Sequence, residues 1–146
     1  MPPEAAQACE QILRALPEWF GIEEAIVSYR KDVEKMPTWV AVDNDQIIGF
    51  LTIRHHNKYS AEIQVMGVLK EYHYKGVGRA LVEHIEKLLQ EQKVEYLQVK
   101  TLGPSRECHE YKLTRRSYMS AGFRPLEEST KMWDEANPCL IMVKRL

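Results

Sequence analysis

Apolar side chains recur along this chain with two different spacings. Four segments repeat them every three or four residues, which predicts amphipathic helices, and six short apolar or β-branched runs bounded by turn residues predict strands. Pro17 and Pro37 end the first two helices, because proline cannot continue a helix. The predicted helices cover residues 5–16, 23–36, 77–92 and 110–121, and the predicted strands cover residues 38–42, 46–53, 62–69, 95–102, 123–126 and 139–143.

The order of these elements, ααβββαβαββ, predicts the fold class. Alternating helices and strands of this kind favour an α/β (α+β) fold, with one mixed sheet and helices on its faces. Inside the strand at 62–69, the apolar positions Ile63 and Val65 give way to Val68 across Gly67. A change of phase at a strand glycine predicts a β-bulge at Gly67.

Composition narrows the class of protein. A chain of 146 residues predicts one domain spanning 1–146, and 45% hydrophobic with 28% charged residues is typical of a soluble globular protein. A net charge of −1 without a long basic run argues against nucleic acid as a partner, and no apolar stretch approaches the ~20 residues of a membrane span. The N-terminus lacks the pattern of an export signal, and three widely spaced cysteines fit a reducing compartment, so we predict a cytoplasmic protein.

The most informative segment is the glycine-containing turn between the strand at 62–69 and the helix at 77–92. Gly76 and Gly78 let the backbone approach a ligand where a Cβ atom would block it. The first turn of the helix also has N–H groups without an intrahelical partner, which together with the helix dipole favour an anion such as pyrophosphate. Lys75 and Arg79 add positive charge, so the segment predicts a site for a phosphorylated cofactor; the alternative is a glycine-rich turn that only begins a helix.

Two other phosphate-binding loops are excluded by their spacing. The dinucleotide fingerprint requires a third glycine where this chain has Leu81, and no Walker sequence is present. The remaining pattern, His73-x-x-Gly76-x-Gly78, resembles the acetyl-CoA signature of the GNAT acetyltransferases, usually Arg/Gln-x-x-Gly-x-Gly/Ala. His73 departs from that signature at its first position.

Two further marks carry the same resemblance. Tyr118-x-x-x-Gly122-Phe123 is similar to a motif near the C-terminus of many GNAT enzymes, and Glu62 lies fourteen residues before Gly76, as the catalytic glutamate does in the histone-acetylating branch. The resemblance covers residues 38–126 well and implies the GNAT fold, a central, mostly antiparallel sheet flanked by helices. The first strand of that fold looks missing or truncated, since only residues 1–4 precede the first helix.

The resemblance implies an N-acetyltransferase that moves an acetyl group from acetyl-CoA to a primary amine, by direct attack through a tetrahedral intermediate and without a metal. The amine would belong to a small molecule, a lysine side chain or a protein N-terminus, and the enzyme would be a monomer or a homodimer. The alternative is a non-catalytic or degenerate acyl-CoA-binding module; a third reading is a structural protein with an incidental glycine turn. The expected cofactor contacts are Met66, Gly67 and Val68 on the strand, splayed by the bulge, and His73, Tyr74, Lys75, Gly76, Val77, Gly78, Arg79 and Ala80 in the turn.

Amine acetylation needs a base, because an alkylamine is protonated at neutral pH, and an acid for the departing thiolate. Tyr118 is the candidate acid, since a phenol can donate a proton to a thiolate; the alternative is a tyrosine packed on a helix face. Glu62 is the candidate base, because desolvation on a central strand would raise its pKa; the alternative is a solvent-facing carboxylate. The rival bases are His55, His56, Glu107 and His109.

Four aromatic residues are also expected near the site. Tyr111 stands where many family members have an asparagine, so no asparagine contact with the cofactor is expected. Trp19, Phe20 and Tyr29 either line the acceptor pocket or belong to the core.

Overall fold

The strands form one six-stranded sheet in the computed structural model, which describes all residues from Met1 to Leu146. The strand order is β1-β2-β3-β4-β6-β5, and every neighbouring pair is antiparallel except β3 and β4. The predicted mixed sheet and element order are confirmed. The elements are α1 (Pro3–Arg14), α2 (Glu23–Lys35), β1 (Thr38–Asp43), β2 (Gln46–His55), β3 (Ser60–Val68), α3 (Val77–Glu91), β4 (Tyr96–Leu102), α4 (His109–Ser120), β5 (Arg124–Asp134) and β6 (Asn137–Arg145), with a turn of 3-10 helix at Lys70–Tyr72.

Helices cover both faces of the sheet and give the protein two hydrophobic cores. On one face, α1 and α2 bury a cluster that includes Leu13, Phe50 and Val65. On the other face, α3 buries a larger cluster that includes Ile63 and Ile85. Ile63 and Val65 are only two residues apart on β3, yet they belong to opposite faces, so the regular alternation of the strand is interrupted between them.

The interruption is a β-bulge at Gln64, and the predicted bulge at Gly67 is wrong. Thr52 pairs with Val65 whereas the next residue, Ile53, pairs with Ile63, so Gln64 is the extra residue of β3. Gly67 keeps a regular pair with Phe50. A Cβ atom at Gly67 would lie 3.1 Å from Ile12 Cγ2 and 3.2 Å from Phe50 Cε1, so this glycine allows α1 to pack closely on the sheet.

The two parallel strands separate after a short ladder. β3 and β4 pair only from Ser60 with Tyr96 to Ile63 with Val99, which is four residue pairs. Beyond these pairs the facing edges of the two strands have no strand partner, and a cleft lies between them. The sheet therefore has an opening at its centre.

The ends of the chain differ in part from the sequence prediction. No strand precedes α1 within residues 1–146, so β1 forms one edge of the sheet. β5 and β6 extend well beyond the predicted 123–126 and 139–143, and they meet in a hairpin where Asp134 pairs with Asn137. None of the helices has the length and apolar composition needed to cross a bilayer.

Candidate active site

The cleft between β3 and β4 has a volume of about 510 Å³. Its walls come from the end of β3, the glycine turn that begins α3, helix α4 and the connection between α1 and α2. The predicted site residues that line it are Met66, Gly67, Val68, His73, Tyr74, Gly76, Val77, Gly78, Arg79 and Tyr118. The structure thus brings two distant sequence motifs, the glycine turn and the tyrosine of α4, to one cavity.

The glycine turn leaves open space and unpaired N–H groups at the start of α3. Gly76 precedes the helix with φ +84°, a left-handed conformation that disfavours side chains. The N–H groups of Val77, Gly78 and Arg79 have no hydrogen-bond partner in the chain; the first that is bonded, Ala80 N–H, donates to the Gly76 carbonyl at 2.9 Å. These donors and the helix dipole provide the geometry of an anion site.

No contact within the folded chain explains why residue 78 is a glycine. It lies in the first turn of α3, and a Cβ atom there would meet only Val68 Cγ2, at 3.9 Å. Glycine in a helix costs roughly 0.5–1 kcal/mol relative to alanine. The chain therefore carries this cost without a packing reason, whereas close approach of a ligand to the backbone supplies one.

His73 anchors the turn to β3. Its Nε2 donates a hydrogen bond to the Val68 carbonyl oxygen at 2.7 Å, and its ring meets Trp19 edge-on at 5.6 Å between ring centroids. The next residue, Tyr74, has φ +62° and is 89% exposed. The histidine thus holds the turn against the strand, and the tyrosine extends from it at the mouth of the cleft.

Three charged or small residues of the turn lie beside the cleft, and their surroundings differ. Lys75 and Ala80 are exposed and do not line the cavity. The Lys75 Nζ lies 5.8 Å above the ring of Tyr72. Arg79 reaches the cavity, but its Nε contacts Glu83 at 3.0 Å on the helix surface. Positive charge at this end of the cleft is therefore present but solvated.

Tyr118 presents a protonated phenol to the cleft. Its side chain is half-buried, its ring lies edge-on to Phe123 at 5.5 Å, and its hydroxyl has no hydrogen-bond partner in the chain. Gly122, with φ +101°, turns the chain between Tyr118 and the fully buried Phe123. Burial raises the pKa of Tyr118 to about 12, because desolvation disfavours the phenolate.

Glu62 is buried in an ion-paired network next to the cleft rather than in it. Only 4% of the residue is exposed. Its Oε1 accepts hydrogen bonds from His56 Nε2 at 2.7 Å and from Lys100 Nζ at 3.0 Å, and Oε2 lies 3.2 Å from the same ammonium. The predicted solvent-facing alternative for Glu62 is wrong.

Among the rival bases, the structure brings only His56 to Glu62. The other histidine of the strand, His55, is exposed and bonds the side chain of Gln92 at 3.2 Å. Glu107 and His109 line neither the cleft nor the cavity that contains Glu62. His56 and Glu62 thus form a pair in which the carboxylate fixes one nitrogen of the imidazole.

The cavity around Glu62 is a smaller side pocket of about 220 Å³. It shares four wall residues with the main cleft: Tyr29, Gln64, Lys100 and Trp133. We call it the side pocket. Its four remaining wall residues are Arg54, His56, Glu62 and Met132.

Sequence reasoning missed Arg54, Gln64, Lys100 and Trp133. A signal for Lys100 exists, because β4 alternates buried Leu97 and Val99 with half-buried Gln98 and Lys100. Gln98 pairs with Glu62, so the lysine two residues later is placed on the side of the carboxylate. Thr101 was missed as well; its buried hydroxyl oxygen is the one buried side-chain polar atom without a hydrogen-bond partner, and the residue lines the cleft.

Aromatic residues of the α1–α2 connection and of α2 form part of the cleft wall. Trp19 Nε1 donates to Thr114 Oγ1 at 3.0 Å, and the Tyr111 hydroxyl donates to the Trp19 carbonyl oxygen at 2.6 Å. Trp19, Phe20 and Tyr29 all line the cleft. Burial raises the pKa of Tyr111, so its hydroxyl stays a donor to the backbone. No group of three or more metal-ligating side chains is present.

A mostly antiparallel sheet that opens between two parallel strands, with a glycine-initiated helix at the opening, is the architecture of the GNAT fold. The family model described as an acetyltransferase (GNAT) domain matches residues 34–125, which is more than half of the chain. The chain therefore belongs to the GNAT family.

One relative is similar to this chain in sequence, and solved structures are similar to it in fold. An uncharacterized N-acetyltransferase from Chlorobaculum tepidum is 30% identical over 104 residues, which cover 69% of this chain; the chain spans about 60% of that relative's length. A GNAT-family acetyltransferase described as putative, from Desulfovibrio desulfuricans, superimposes with a TM-score of 0.85 at 16% identity, over 99% of this chain and 94% of that one. A GNAT acetyltransferase from Elizabethkingia anophelis, solved with acetyl-CoA bound, has a TM-score of 0.69 at 17% identity over 90% and 88%.

Proposed function

We propose that this protein transfers an acetyl group from acetyl-CoA to a primary amine. The observation that carries the proposal is the start of α3, where three unpaired N–H groups and an otherwise unexplained glycine face a cleft that also contains Tyr118. This arrangement fits a pyrophosphate at the helix terminus. Family membership and the acetyl-CoA in the Elizabethkingia anophelis neighbour support the choice of ligand.

The cleft provides the groups that the reaction needs. The amine nitrogen forms a bond to the thioester carbonyl carbon, and the carbon–sulfur bond breaks in the second step. The departing thiolate takes a proton, which Tyr118 supplies because its raised pKa keeps the phenol protonated at neutral pH. Backbone groups of Met66, Gly67 and Val68 would contact the thioester end of the ligand.

The proton lost by the amine must leave in the opposite direction. In the proposal Glu62 receives it, through water or through His56, which lies 2.7 Å from the carboxylate. The ion pair with Lys100 fixes this carboxylate in position. A relay is required because Glu62 opens to the side pocket and not to the main cleft.

Thermal unfolding with acetyl-CoA is the direct test of the cofactor. At a ligand concentration of a hundred times Kd, binding stabilises the folded state by about 2.7 kcal/mol, which for this chain length is a shift of roughly 5–10 °C in the unfolding midpoint. We expect the shift with acetyl-CoA and with CoA but not with ATP. An absence of any shift with the CoA species would remove the basis of the proposal.

The Glu62→Gln substitution tests the proton relay. We expect the pH–rate profile to lose the ionisation of the general base. We also expect the free energy of unfolding to fall by about 1–3 kcal/mol, because the half-buried Lys100 ammonium loses its partner. The double variant Glu62→Gln/Lys100→Met is the control: it should recover stability without recovering the rate. An unchanged pH profile in the single variant would show that the base is another group or the substrate itself.

A second function, an acyl-CoA-binding module without turnover, is favoured by one observation. Lys100 and His56 already hydrogen-bond to the oxygens of Glu62, so the carboxylate is engaged by the chain itself before any amine binds. Release of free CoA thiol in the presence of a panel of primary amines distinguishes the two functions, because a binding module would bind acetyl-CoA without releasing thiol.

A further inference from the structure

The side pocket contains an arginine, Arg54, whose hydrogen-bond donors are not all paired by the network around Glu62. Arg54 on β2 is half-buried and lies directly opposite Glu62 in the antiparallel register with β3. Paired residues in such a register have neighbouring side chains. Nevertheless, Arg54 makes no ion pair with Glu62, whose oxygens are taken by His56 and Lys100.

The hydrogen bonds of Arg54 leave the end of its guanidinium free. Its Nε donates to Gln64 Oε1 at 3.0 Å, and Gln64 Nε2 in turn donates to Asp32 Oδ2 at 3.0 Å. Asp32 thus reaches the guanidinium only through an amide. The two terminal nitrogens of Arg54 have no hydrogen-bond partner in the chain, although the residue lines the side pocket.

The charges on the wall of the side pocket are unequal. Arg54 and Lys100 are cationic, His56 is a third group that can carry positive charge, and Glu62 is the only carboxylate on the wall. A guanidinium with free terminal nitrogens offers two parallel N–H donors, which match the two oxygens of a carboxylate. The pocket therefore has the donors for one additional anionic group.

We propose that the side pocket binds a carboxylate of the acceptor, so that the acceptor is a small amine of the amino-acid class. This inference rests on the proposed function, because it places the amine in the main cleft and the carboxylate on Arg54. The two cavities are adjacent, because Gln64 and Lys100 line both. Tyr29 and Trp133, also shared by both, provide apolar wall for the carbon skeleton between the two ends.

The size of the side pocket selects a small acceptor. Its volume of about 220 Å³ is less than half that of the main cleft. Polypeptide acceptors would have to place their carboxylate there from a side chain, whereas a free amino acid carries amine and carboxylate within a few bonds of each other. We therefore assign the pocket to the small molecule and use a peptide as the contrasting case.

The test compares amines that differ in one carboxylate: phenylalanine with phenethylamine, lysine with cadaverine, and 4-aminobutyrate with propylamine. Initial rates of CoA release give kcat/KM for each amine. We expect the carboxylate-bearing member of at least one pair to exceed its partner by about tenfold or more, since charge-assisted hydrogen bonds are worth that much. Arg54→Gln should abolish the difference, mainly through KM, and Arg54→Lys should restore part of it.

Two controls show whether the effect of Arg54→Gln comes from the lost guanidinium or from a general defect of the protein. Arg145→Gln removes an exposed arginine that contacts Glu95 at the far end of β6, and it should leave the ratio unchanged. The shift in thermal unfolding by acetyl-CoA should be the same in wild type and Arg54→Gln, which shows that the variant is folded and binds the cofactor.

The outcomes separate this inference from the proposed function. A shift with acetyl-CoA, together with equal kcat/KM within every pair or an unchanged ratio in Arg54→Gln, overturns the carboxylate site and leaves acetyl transfer standing. Turnover of a peptide with an acidic residue after its N-terminal amine, but of no small carboxylate, overturns the assignment to a small acceptor. No shift with any CoA species overturns the proposed function itself.

Discussion

The Tyr118→Phe variant is expected to lose more than about tenfold in maximal rate while it retains its affinity for acetyl-CoA. The phenol hydroxyl makes no hydrogen bond within the chain, so its removal costs the folded state little. The ring keeps its edge-on contact with Phe123. The loss therefore appears in kcat, measured by CoA release at saturating substrates, and not in Kd or in the unfolding midpoint.

The pKa of Tyr118 determines how this variant behaves with pH. Because burial raises the pKa to about 12, the phenol is protonated throughout the range from about pH 6 to 9. Tyr118 therefore produces no descending limb in that range, and wild type and variant should differ by a constant factor across it. Tyr96→Phe, at an exposed position on β4, is the matched control and should leave the rate unchanged. An unchanged rate in Tyr118→Phe excludes this residue from the mechanism.

The Gly78→Glu variant is expected to become more stable and to bind acetyl-CoA more than about tenfold more weakly. A Cβ atom at this position meets no atom closer than 3.9 Å. The substitution gains roughly 0.5–1 kcal/mol in helix propensity and places a negative charge at the helix N-terminus, where it is favourable. The same charge repels a pyrophosphate and competes for the N–H groups of Val77, Gly78 and Arg79. Stability and affinity should thus change in opposite directions.

Gly78→Ala is the matched control for this variant. It gains the same helix propensity without the charge, so we expect a stabilised protein whose affinity for acetyl-CoA falls only by the obstruction from one methyl group, and therefore by less than in Gly78→Glu. Thermal unfolding without ligand and titration with acetyl-CoA measure the two quantities separately. If Gly78→Glu binds acetyl-CoA as well as Gly78→Ala does, the start of α3 is not the pyrophosphate site.

The fold was predictable wherever the periodicity of apolar residues is local. All four helices and six strands follow the predicted order, because most of them carry apolar residues at the spacing of one face. The bulge was misplaced because Ile63 and Val65 are two residues apart, which in a regular strand means the same face. Only the pairing with Thr52 and Ile53 shows that Gln64 is extra. The length of β5 was missed because its exposed, polar sequence is held by pairing with β6 rather than by burial.

The part of the candidate site that consists of backbone groups was predictable from the sequence. Gly76 and Gly78 occur in a contiguous segment, so sequence alone predicts the free N–H groups of the helix. Lys100 is thirty-eight residues from Glu62 and reaches it only because β3 and β4 lie side by side. Sequence alone could not predict the free guanidinium of Arg54 either. It is free because Glu62 bonds to His56 and because Gln64 contacts only the Nε of Arg54, and both contacts depend on the folded structure.

The short ladder between β3 and β4 also has a mechanical consequence. The sheet consists of two three-stranded halves, β1–β2–β3 and β4–β6–β5, whose strands are hydrogen-bonded to each other through four residue pairs. The strands within each half share longer ladders than the one between the halves, so the β3–β4 ladder is the narrowest connection across the sheet. A small rotation about Ile63 and Val99 would displace Val68 and Leu102 more than the ladder itself and would widen the mouth of the cleft. An acyl group longer than acetyl would then be accommodated by a wider separation of β3 and β4, and not by smaller side chains along the wall of the cleft.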